Sequence, residues 1–241
     1  MAEERTVFEL HSDFYGNNNT VPYDYYFINQ MKLLKTRQTR LLDVGGGSGT
    51  FAASVKEEIP QSEVTIIDPT QTLLDMITDP RIKKIKGNLP HNLNLQDATF
   101  FDFICVKEVL HHLTNSSVAG SKKLTIESLL ELRDHLEDDG YLLIHELYYE
   151  SPLLDTATRT MIFYALAVQN FLNIKLPSKE FLLGLEVCFY TRRELVNMVR
   201  RCGFEVVHSF DEPWGNSPKK YALLLKDWGR ILLIARKKVV P

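Results

Sequence analysis

The sequence predicts an α/β protein built on a mostly parallel β-sheet with helices on both faces. Three observations predict it. From residue 39 onward short β-branched runs alternate with amphipathic stretches, a glycine-rich loop joins the first run to a helix, and an acidic residue ends the second run. The 241 residues are 44% hydrophobic, which is enough for a buried core and excludes disordered or low-complexity classes.

The elements follow in order along the chain. Leu41–Val44 and Val64–Asp68 are predicted strands around a helix at Phe51–Ile59, which ends before Pro60. After this β-α-β unit we expect a helix at Thr72–Ile77, strands at Ile82–Lys86 and Phe101–Val106, a helix at Ile126–Leu136, a strand at Tyr141–Glu146, a helix at Glu194–Cys202, and strands at Phe204–Phe210 and Arg230–Ala235.

The chain is expected to be a single domain, because no clean linker divides it. Within that domain, residues 39–147 form the alternating core, residues 190–241 complete the sheet, and residues 1–38 and 151–189 are helical additions. The formal net charge of −3 gives no overall attraction to nucleic acid or to an anionic membrane. Three cysteines without CxxC spacing, an acidic N-terminus and no long apolar run predict a cytoplasmic protein.

The densest motif is the run from Leu41 to Thr50, LLDVGGGSGT, in which four glycines follow a predicted strand and precede a helix. Glycines at such a junction let the backbone approach a ligand, and the helix N-terminus directs its N–H groups at it. The dinucleotide fingerprint would need glycine in place of Thr50, and a P-loop would need a lysine. Asp68 lies about 20 residues further on, where a carboxylate can accept hydrogen bonds from both ribose hydroxyls of an adenosine group.

These residues resemble the class I S-adenosylmethionine-dependent methyltransferases over about residues 38–147. The resemblance implies that Asp43 orders the glycine loop and the methionyl end of the cofactor, that Asp68 holds the ribose, and that Asn88 of the Gly87-Asn88 pair contacts the adenine amino group, where the family more often has aspartate. The cofactor-binding residues expected on this basis are Asp43, Gly45, Gly46, Gly47, Gly49, Asp68, Pro69, Gly87, Asn88, Leu89, Val106 and Lys107.

The resemblance also implies a seven-stranded sheet whose last strand, Arg230–Ala235, is antiparallel. The helix that starts near Tyr190–Leu195, followed by Cys202-Gly203-Phe204, looks like the late helix and glycine turn of many small-molecule methyltransferases. It therefore favours the small-molecule branch of the family.

Methyl transfer from a sulfonium is an in-line displacement, and a base is needed only when the acceptor must lose a proton. Acceptor-facing groups are expected just past the carboxyl ends of strands. His111 and His112 are the candidate general bases because imidazole titrates near neutrality, and His145 and Glu146 are alternates. For each of these side chains a packing or structural role is the alternative. We expect no metal.

Aromatic residues concentrate in residues 14–27 and 148–190, in and next to the two additions, and these stretches hold 14 of the 25. We hypothesise that both additions fold over the carboxyl edge of the sheet as a lid and form an apolar acceptor pocket. Helix packing or a homodimer contact is the alternative. The expected acceptor-binding residues are Tyr15, Tyr23, Tyr26, His112, Tyr148, Tyr149 and Tyr164.

The sequence thus predicts a methyltransferase that uses S-adenosylmethionine and acts on a small, partly apolar metabolite, most favourably at a hydroxyl oxygen. Methylation at nitrogen or carbon, and a non-catalytic module that binds the cofactor, are the alternatives. Nucleic acid and membranes are not expected as partners.

Overall fold

The computed structural model describes residues 22–34, 39–96, 99–152, 154, 156–174 and 184–238. Seven strands form a single sheet: β1 (Arg40–Val44), β2 (Glu63–Asp68), β3 (Ile82–Lys86), β4 (Phe101–Lys107), β5 (Leu136–Glu150), β6 (Phe204–Pro213) and β7 (Asp227–Lys237). Their order across the sheet is β3-β2-β1-β4-β5-β7-β6. The predicted α/β class and the seven-stranded sheet are confirmed.

Helices surround the sheet. They are α1 (Pro22–Leu34), α2 (Thr50–Glu58), α3 (Gln71–Asp75), α4 (Val118–Asp134), α5 (Ala157–Phe171), α6 (Arg192–Arg201) and α7 (Pro218–Ala222), with one 3₁₀ turn at Leu110–His112. Residues 1–21 of the predicted N-terminal addition and residues 175–183 of the second addition lie outside the described residues, as does Tyr15.

The central strands are parallel and end at one edge. Val44 of β1 is opposite Ile67 of β2 and Val106 of β4. The three strands are buried at nearly every position, without alternation, because both faces of a parallel sheet are covered. The chain segments that leave the carboxyl ends of these strands therefore start close together.

The last strand runs antiparallel to both neighbours, as the resemblance implies. On the β6 side, the backbone N–H of Trp214 donates to the carbonyl of Trp228 at 3.0 Å, and Gly229 lies against the carbonyl of Glu212. On the β5 side, the N–H of Lys226 donates to the carbonyl of Glu150 at 2.8 Å. The Lys237 ammonium bonds the carbonyl of Leu136 at the other end of β5. The chain thus runs in opposite directions in β7 and in each of its two neighbours, β5 and β6.

Several element boundaries differ from the sequence prediction, and β5 extends beyond the predicted Tyr141–Glu146 at both ends. Helix α4 begins at Val118 and not at Ile126, because the Ser117 hydroxyl accepts from the N–H of Gly120 and caps a first turn that has little apolar pattern. Its expected end was also wrong, since Leu136 already belongs to β5. Helix α7 lies between the last two predicted strands, where no element was expected; it is capped by Ser217 and starts with proline.

The chain divides into two compact units. Unit 1 contains residues 1–107, 130–143 and 236–241, and unit 2 contains residues 108–129 and 144–235. The expectation of a single domain stays a prediction. Among the described residues, no helix is long and apolar enough to cross a membrane.

Unit 1 is organised around β1, β2 and β4. Helix α1 buries Phe27, Ile28 and Met31 completely, and its Lys32 pairs with Glu58 of α2 at 2.5 Å. These three apolar side chains together remove enough surface from water to contribute several kcal/mol to the stability of the unit. Helix α1 is therefore an integral part of this core.

Unit 2 combines apolar packing with partly buried ion pairs. Tyr148 and Tyr190 are fully buried, and α6 begins with a capping box between Thr191 and Glu194. The Arg192 guanidinium bonds both carboxylate oxygens of Glu150 at 2.7 and 2.8 Å. The chain's three cysteines, Cys105 in unit 1 and Cys188 and Cys202 in unit 2, are free thiols and are buried.

We predict that Gly229→Ala destabilises unit 2 by at least about 2 kcal/mol, toward the upper end of the usual cost of overpacking. A Cβ at residue 229 would lie 2.1 Å from the carbonyl oxygen of Glu212, which is backbone and cannot move without separating β7 from β6. Thermal and urea unfolding measure the effect. Gly215→Ala is the matched control, because a Cβ there meets no atom within 4 Å and only its φ of 71° is strained. Equal losses for the two variants would contradict the steric explanation.

Candidate functional site

The glycine loop of unit 1 joins β1 to α2. Gly45, Gly47 and Gly49 have φ angles of 68°, 54° and 80°, a region in which side chains are strained. The N–H of Gly45 donates to the carbonyl of Ile67 at 2.7 Å, and the N–H of Gly49 donates to the carbonyl of Gly46 at 2.9 Å. The alternating left-handed residues fold the chain tightly over the end of β1, as the sequence predicts.

Asp43 lies directly beneath this loop. A Cβ on Gly46 would be 2.7 Å from Asp43 Oδ2, so only glycine allows the loop and the carboxylate to approach this closely. Oδ2 is buried and has no hydrogen-bond partner among the described residues. Burial raises the pKa of Asp43 to about 7, Lys107 opposes this, and the charges of Asp24 and Asp68 add to it. The site thus holds a carboxylate that lacks a hydrogen-bond donor at one oxygen.

Lys107, at the end of β4, forms an ion pair with Asp24 of α1. Asp24 is buried, and the Lys107 ammonium also lies 4.8 Å from the ring centroid of Phe51. Burial lowers the pKa of Lys107, but the charge and hydrogen bond of Asp24, together with the charges of Cys105 and Asp43, outweigh burial and raise it. The sequence analysis included Lys107 and missed Asp24, because 83 residues separate the two.

Asp68 ends β2 and binds the same loop. Its Oδ2 accepts from the N–H of Gly47 at 2.9 Å, and its Oδ1 accepts from the N–H of Thr70 at 2.8 Å, with Pro69 between them. Burial raises the pKa of Asp68 and these two hydrogen bonds oppose the rise. Each carboxylate oxygen has a second lone pair, so Asp68 can accept further hydrogen bonds from a ligand.

Gly87, Asn88 and Leu89 follow β3 beside Asp68. The N–H of Gly87 donates to the carbonyl of Asp68 at 3.2 Å. A Cβ on Gly87 would lie 2.6 Å from the carbonyl of Asn92, so the backbone is tightly folded here. Asn88 is exposed and Leu89 is buried. The predicted cofactor residues of the second and third strands are thus neighbours in space, and Val106 is fully buried next to Lys107 in β4.

Two of the candidate catalytic residues of unit 2, His111 and Glu146, form a buried pair. His111 Nδ1 lies 2.6 Å from Glu146 Oε1. Glu146 also accepts hydrogen bonds from the backbone N–H groups of Leu110, at 2.8 Å, and Leu147, at 2.7 Å. Because Glu146 is an acceptor on every side, Nδ1 of His111 donates to it and Nε2 is the nitrogen that can take up a proton.

The two adjacent histidines have opposite pKa directions. Burial lowers the pKa of His111, but the charge of Glu146 and its hydrogen bond outweigh burial, so the pKa of His111 is raised. The pKa of His112 falls well below its ordinary value because of burial, reinforced by the positive charge of His111. The ring centroids are 4.0 Å apart. The site therefore favours the protonated form of His111 and the neutral form of His112.

Aromatic rings stack against His111. Phe189 lies 5.4 Å from the imidazole with an interplanar angle of 22°, and Tyr149 lies 4.0 Å from Phe189 at 15°. Trp228 contacts Tyr149 edge-on. Tyr149 was expected at the acceptor site from the sequence, whereas Phe189 and Trp228 were not.

The other tyrosines expected at the acceptor site are placed differently. Tyr148 is fully buried, its hydroxyl donates to Asp227 at 3.3 Å, and Arg192 lies 4.5 Å from its ring centroid. Tyr164 is half exposed and packs edge-on against Phe163. Tyr23 and Tyr26 lie in α1 of unit 1. An acceptor role for these tyrosines stays a prediction.

Comparison with known proteins shows which family this chain is similar to. A family model described as a methyltransferase domain matches residues 23–209. The norreticuline-7-O-methyltransferase of Papaver somniferum is 27% identical over 99 residues, which cover 38% of this chain and 28% of that relative. This chain thus matches well under two thirds of the length of the curated relative.

Solved structures share the fold. The structure of a SAM-dependent methyltransferase from Methanosarcina mazei matches with a TM-score of 0.62 and 15% identity, covering 92% of this chain and 100% of that chain. The CcbJ methyltransferase from Streptomyces caelestis matches with a TM-score of 0.62 and 13% identity, covering 98% of this chain and 100% of that chain. At these identities the likeness concerns the fold alone.

We predict that Asp43→Asn stabilises the protein increasingly as the pH rises from about 4 to about 8. With a pKa of about 7 when folded and about 4 when unfolded, Asp43 favours folding most below pH 4 and loses this contribution as the pH rises through 7. Asparagine does not ionise, so the gain over wild type grows to at most about 4 kcal/mol. Urea unfolding at pH 5 and pH 8 measures it. Asp75→Asn, at an exposed position, is the control. A difference that is the same at both pH values would contradict the prediction.

Proposed function

This chain belongs to the methyltransferase-domain family of S-adenosylmethionine-dependent enzymes, and from that premise we propose that it methylates a hydroxyl oxygen of a small, partly apolar molecule. The observation that carries the proposal is the hydrogen bond of 2.6 Å between His111 Nδ1 and Glu146 Oε1. It makes His111 an oriented proton acceptor.

The residues of unit 1 fit the cofactor. The buried Asp43 Oδ2, which lacks a hydrogen-bond donor, suits the ammonium group of the methionyl end, and the oxygens of Asp68 suit the ribose hydroxyls. The side-chain carbonyl of the exposed Asn88 suits the adenine amino group. When bound, S-adenosylmethionine supplies an electrophilic methyl carbon on a positively charged sulfur. The three glycines with positive φ bring backbone N–H groups close without side chains in the way.

In unit 2, Glu146 fixes both the tautomer and the orientation of His111. The backbone donors of Leu110 and Leu147 hold the carboxylate, and the carboxylate holds the Nδ1–H. Nε2 therefore keeps its lone pair available for the proton that a hydroxyl group must lose when it is methylated. The negative charge of Glu146 then stabilises the imidazolium that forms. The same division of roles between carboxylate and imidazole operates in serine protease triads.

The presence of an oriented proton acceptor, His111, favours oxygen over nitrogen as the methylated atom. A neutral amine attacks with a lone pair that it already has, whereas a hydroxyl group becomes a good nucleophile only as it loses its proton. The name of the Papaver relative, which describes an O-methyltransferase, supports this choice. The stacked rings of Phe189 and Tyr149 beside His111 support an acceptor with apolar surface.

We predict that His111→Gln and Glu146→Gln each lower kcat for a hydroxylated acceptor by about 10²- to 10⁴-fold. The amide of Glu146→Gln has no charge to stabilise the imidazolium, and its N–H₂ would face Nδ1 of His111 or a backbone N–H from which the carboxylate now accepts. Steady-state kinetics with radiolabelled cofactor over a panel of hydroxylated aromatic compounds measure the loss. Calorimetry should show cofactor affinity within about twofold of wild type. Full activity of either variant would contradict the proposed role.

His112→Gln is the matched control for this prediction, and we expect it to lower kcat less than tenfold. In wild type, kcat/KM should rise as the pH increases through the raised pKa of His111, because only the neutral imidazole is a base. If His112→Gln lowered kcat as much as His111→Gln does, the assignment of the proton transfer to His111 would be contradicted.

We predict that Asp68→Asn lowers the affinity for S-adenosylmethionine by at least about tenfold, since a charged acceptor of hydrogen bonds is replaced by a neutral group. The new amide N–H₂ would also face the N–H of Gly47 or Thr70, because each carboxylate oxygen already accepts from one of them. Isothermal titration calorimetry measures the change, with the exposed Asp75→Asn as control. An unchanged affinity would remove Asp68 from the site.

A further inference from the structure

Arg159 is a buried arginine of unit 2 that is not part of the pair formed by His111 and Glu146. It is in the first turn of α5, and only 5% of its side chain is exposed. Its Nη2 donates to Glu194 Oε1 at 2.6 Å. Its Nε and Nη1 atoms are also buried, and within the described part of the chain neither has a hydrogen-bond partner. Three of the five guanidinium N–H groups are therefore withdrawn from water without an acceptor, which is costly.

Among the residues that the structure describes, the charges around Arg159 do not balance. Glu194 is shared with Lys122, whose ammonium lies 2.9 Å from the same Oε1 atom, so two cations face a single carboxylate. The hydroxyl of Tyr190 pairs with Thr125 at 2.9 Å, and burial raises the pKa values of Tyr190 and Cys188, which keeps both neutral. The first turn of a helix adds further positive potential. The described surroundings of Arg159 in unit 2 thus have an excess of positive charge.

The segment that contacts Arg159 also contacts the histidine site. The guanidinium lies 5.9 Å from the ring centroid of Tyr190, and the preceding residue, Phe189, stacks on His111. The N–H of Cys188 donates to the carbonyl of His111 at 2.7 Å. Consecutive residues of one segment therefore connect the unsatisfied arginine to the proton acceptor.

We propose that Arg159 binds a carboxylate group of the methyl acceptor, so that the preferred substrates are hydroxylated carboxylic acids. Such a group supplies the two acceptor oxygens that the open donors of Arg159 lack, together with the missing negative charge. This inference rests on the proposed function for its catalytic consequence, whereas the anion site itself rests on Arg159 and its surroundings.

The test compares matched pairs of probes that differ only in charge. 4-Hydroxybenzoate and 4-hydroxybenzamide serve for turnover, and benzoate and benzamide serve for calorimetric binding in the presence of S-adenosylhomocysteine. We expect the wild-type protein to prefer each acid at least about tenfold, the usual contribution of a hydrogen bond to a charged group. Arg159→Met should reduce this preference to about twofold or less and leave binding of the amides unchanged.

A second variant should change the affinity for benzoate in the opposite direction from Arg159→Met. Glu194→Gln keeps the capping box of α6, because glutamine also serves at that position, but removes the anion that competes for Arg159. It should tighten benzoate binding several-fold, a result that a purely structural role for Glu194 does not produce. Arg193→Met removes a charge from an exposed position of the same helix. It should change the preference for the acid over the amide neither in turnover nor in binding.

The outcomes separate the two proposals. Turnover of both 4-hydroxy compounds without preference for the acid, and no effect of Glu194→Gln, would overturn the carboxylate site and leave O-methylation intact. Arg159-dependent binding of benzoate without methylation of any hydroxylated probe would support the anion site and contradict the proposed function. If Arg159→Met does not fold, the acid-to-amide ratio of wild type and the Glu194→Gln variant decide.

Discussion

Glu146 is the group on which the geometry of unit 2 depends. Its two oxygens accept from the backbone of Leu110 and Leu147, so one carboxylate ties the turn after β4 to the strand that contains it. The same carboxylate orients His111, and His111 in turn carries the aromatic stack that begins with Phe189. Loss of the charge at Glu146 would therefore disturb backbone, imidazole and aromatic packing together.

Unit 1 uses a buried carboxylate in a different way. Glu146 is surrounded by donors, whereas Asp43 has one oxygen without a donor, and its pKa is raised to about 7. An unsatisfied carboxylate lowers the stability of the folded chain and gains most when a positively charged ligand arrives. Asp43 is thus suited to binding at the expense of stability, whereas Glu146 is suited to rigidity.

The parts of the fold that the sequence predicts are those encoded by short stretches. The glycine loop, Asp43 and Asp68 lie within one β-α-β unit, where strand, turn and helix follow from spacing alone. The pair of His111 with Glu146 was predicted only as two separate candidates, because the two are 35 positions apart and a hydrogen bond between the turn after β4 and the neighbouring strand β5 depends on sheet order. Asp24 and Arg159 were missed for the same reason: their burial depends on distant helices and leaves no local pattern. The start of α4 was missed because a polar first turn has no apolar periodicity.

The three buried thiols have a practical consequence. Cys105 is in unit 1, and Cys188 and Cys202 are in unit 2. Burial raises the pKa of Cys105 and of Cys188, so both are unreactive while the native packing holds. The rate at which each cysteine is alkylated therefore reports how often the structure around it opens. Timed alkylation followed by peptide mass analysis would record, without any engineered label, whether the two compact units open in a single event or one after the other.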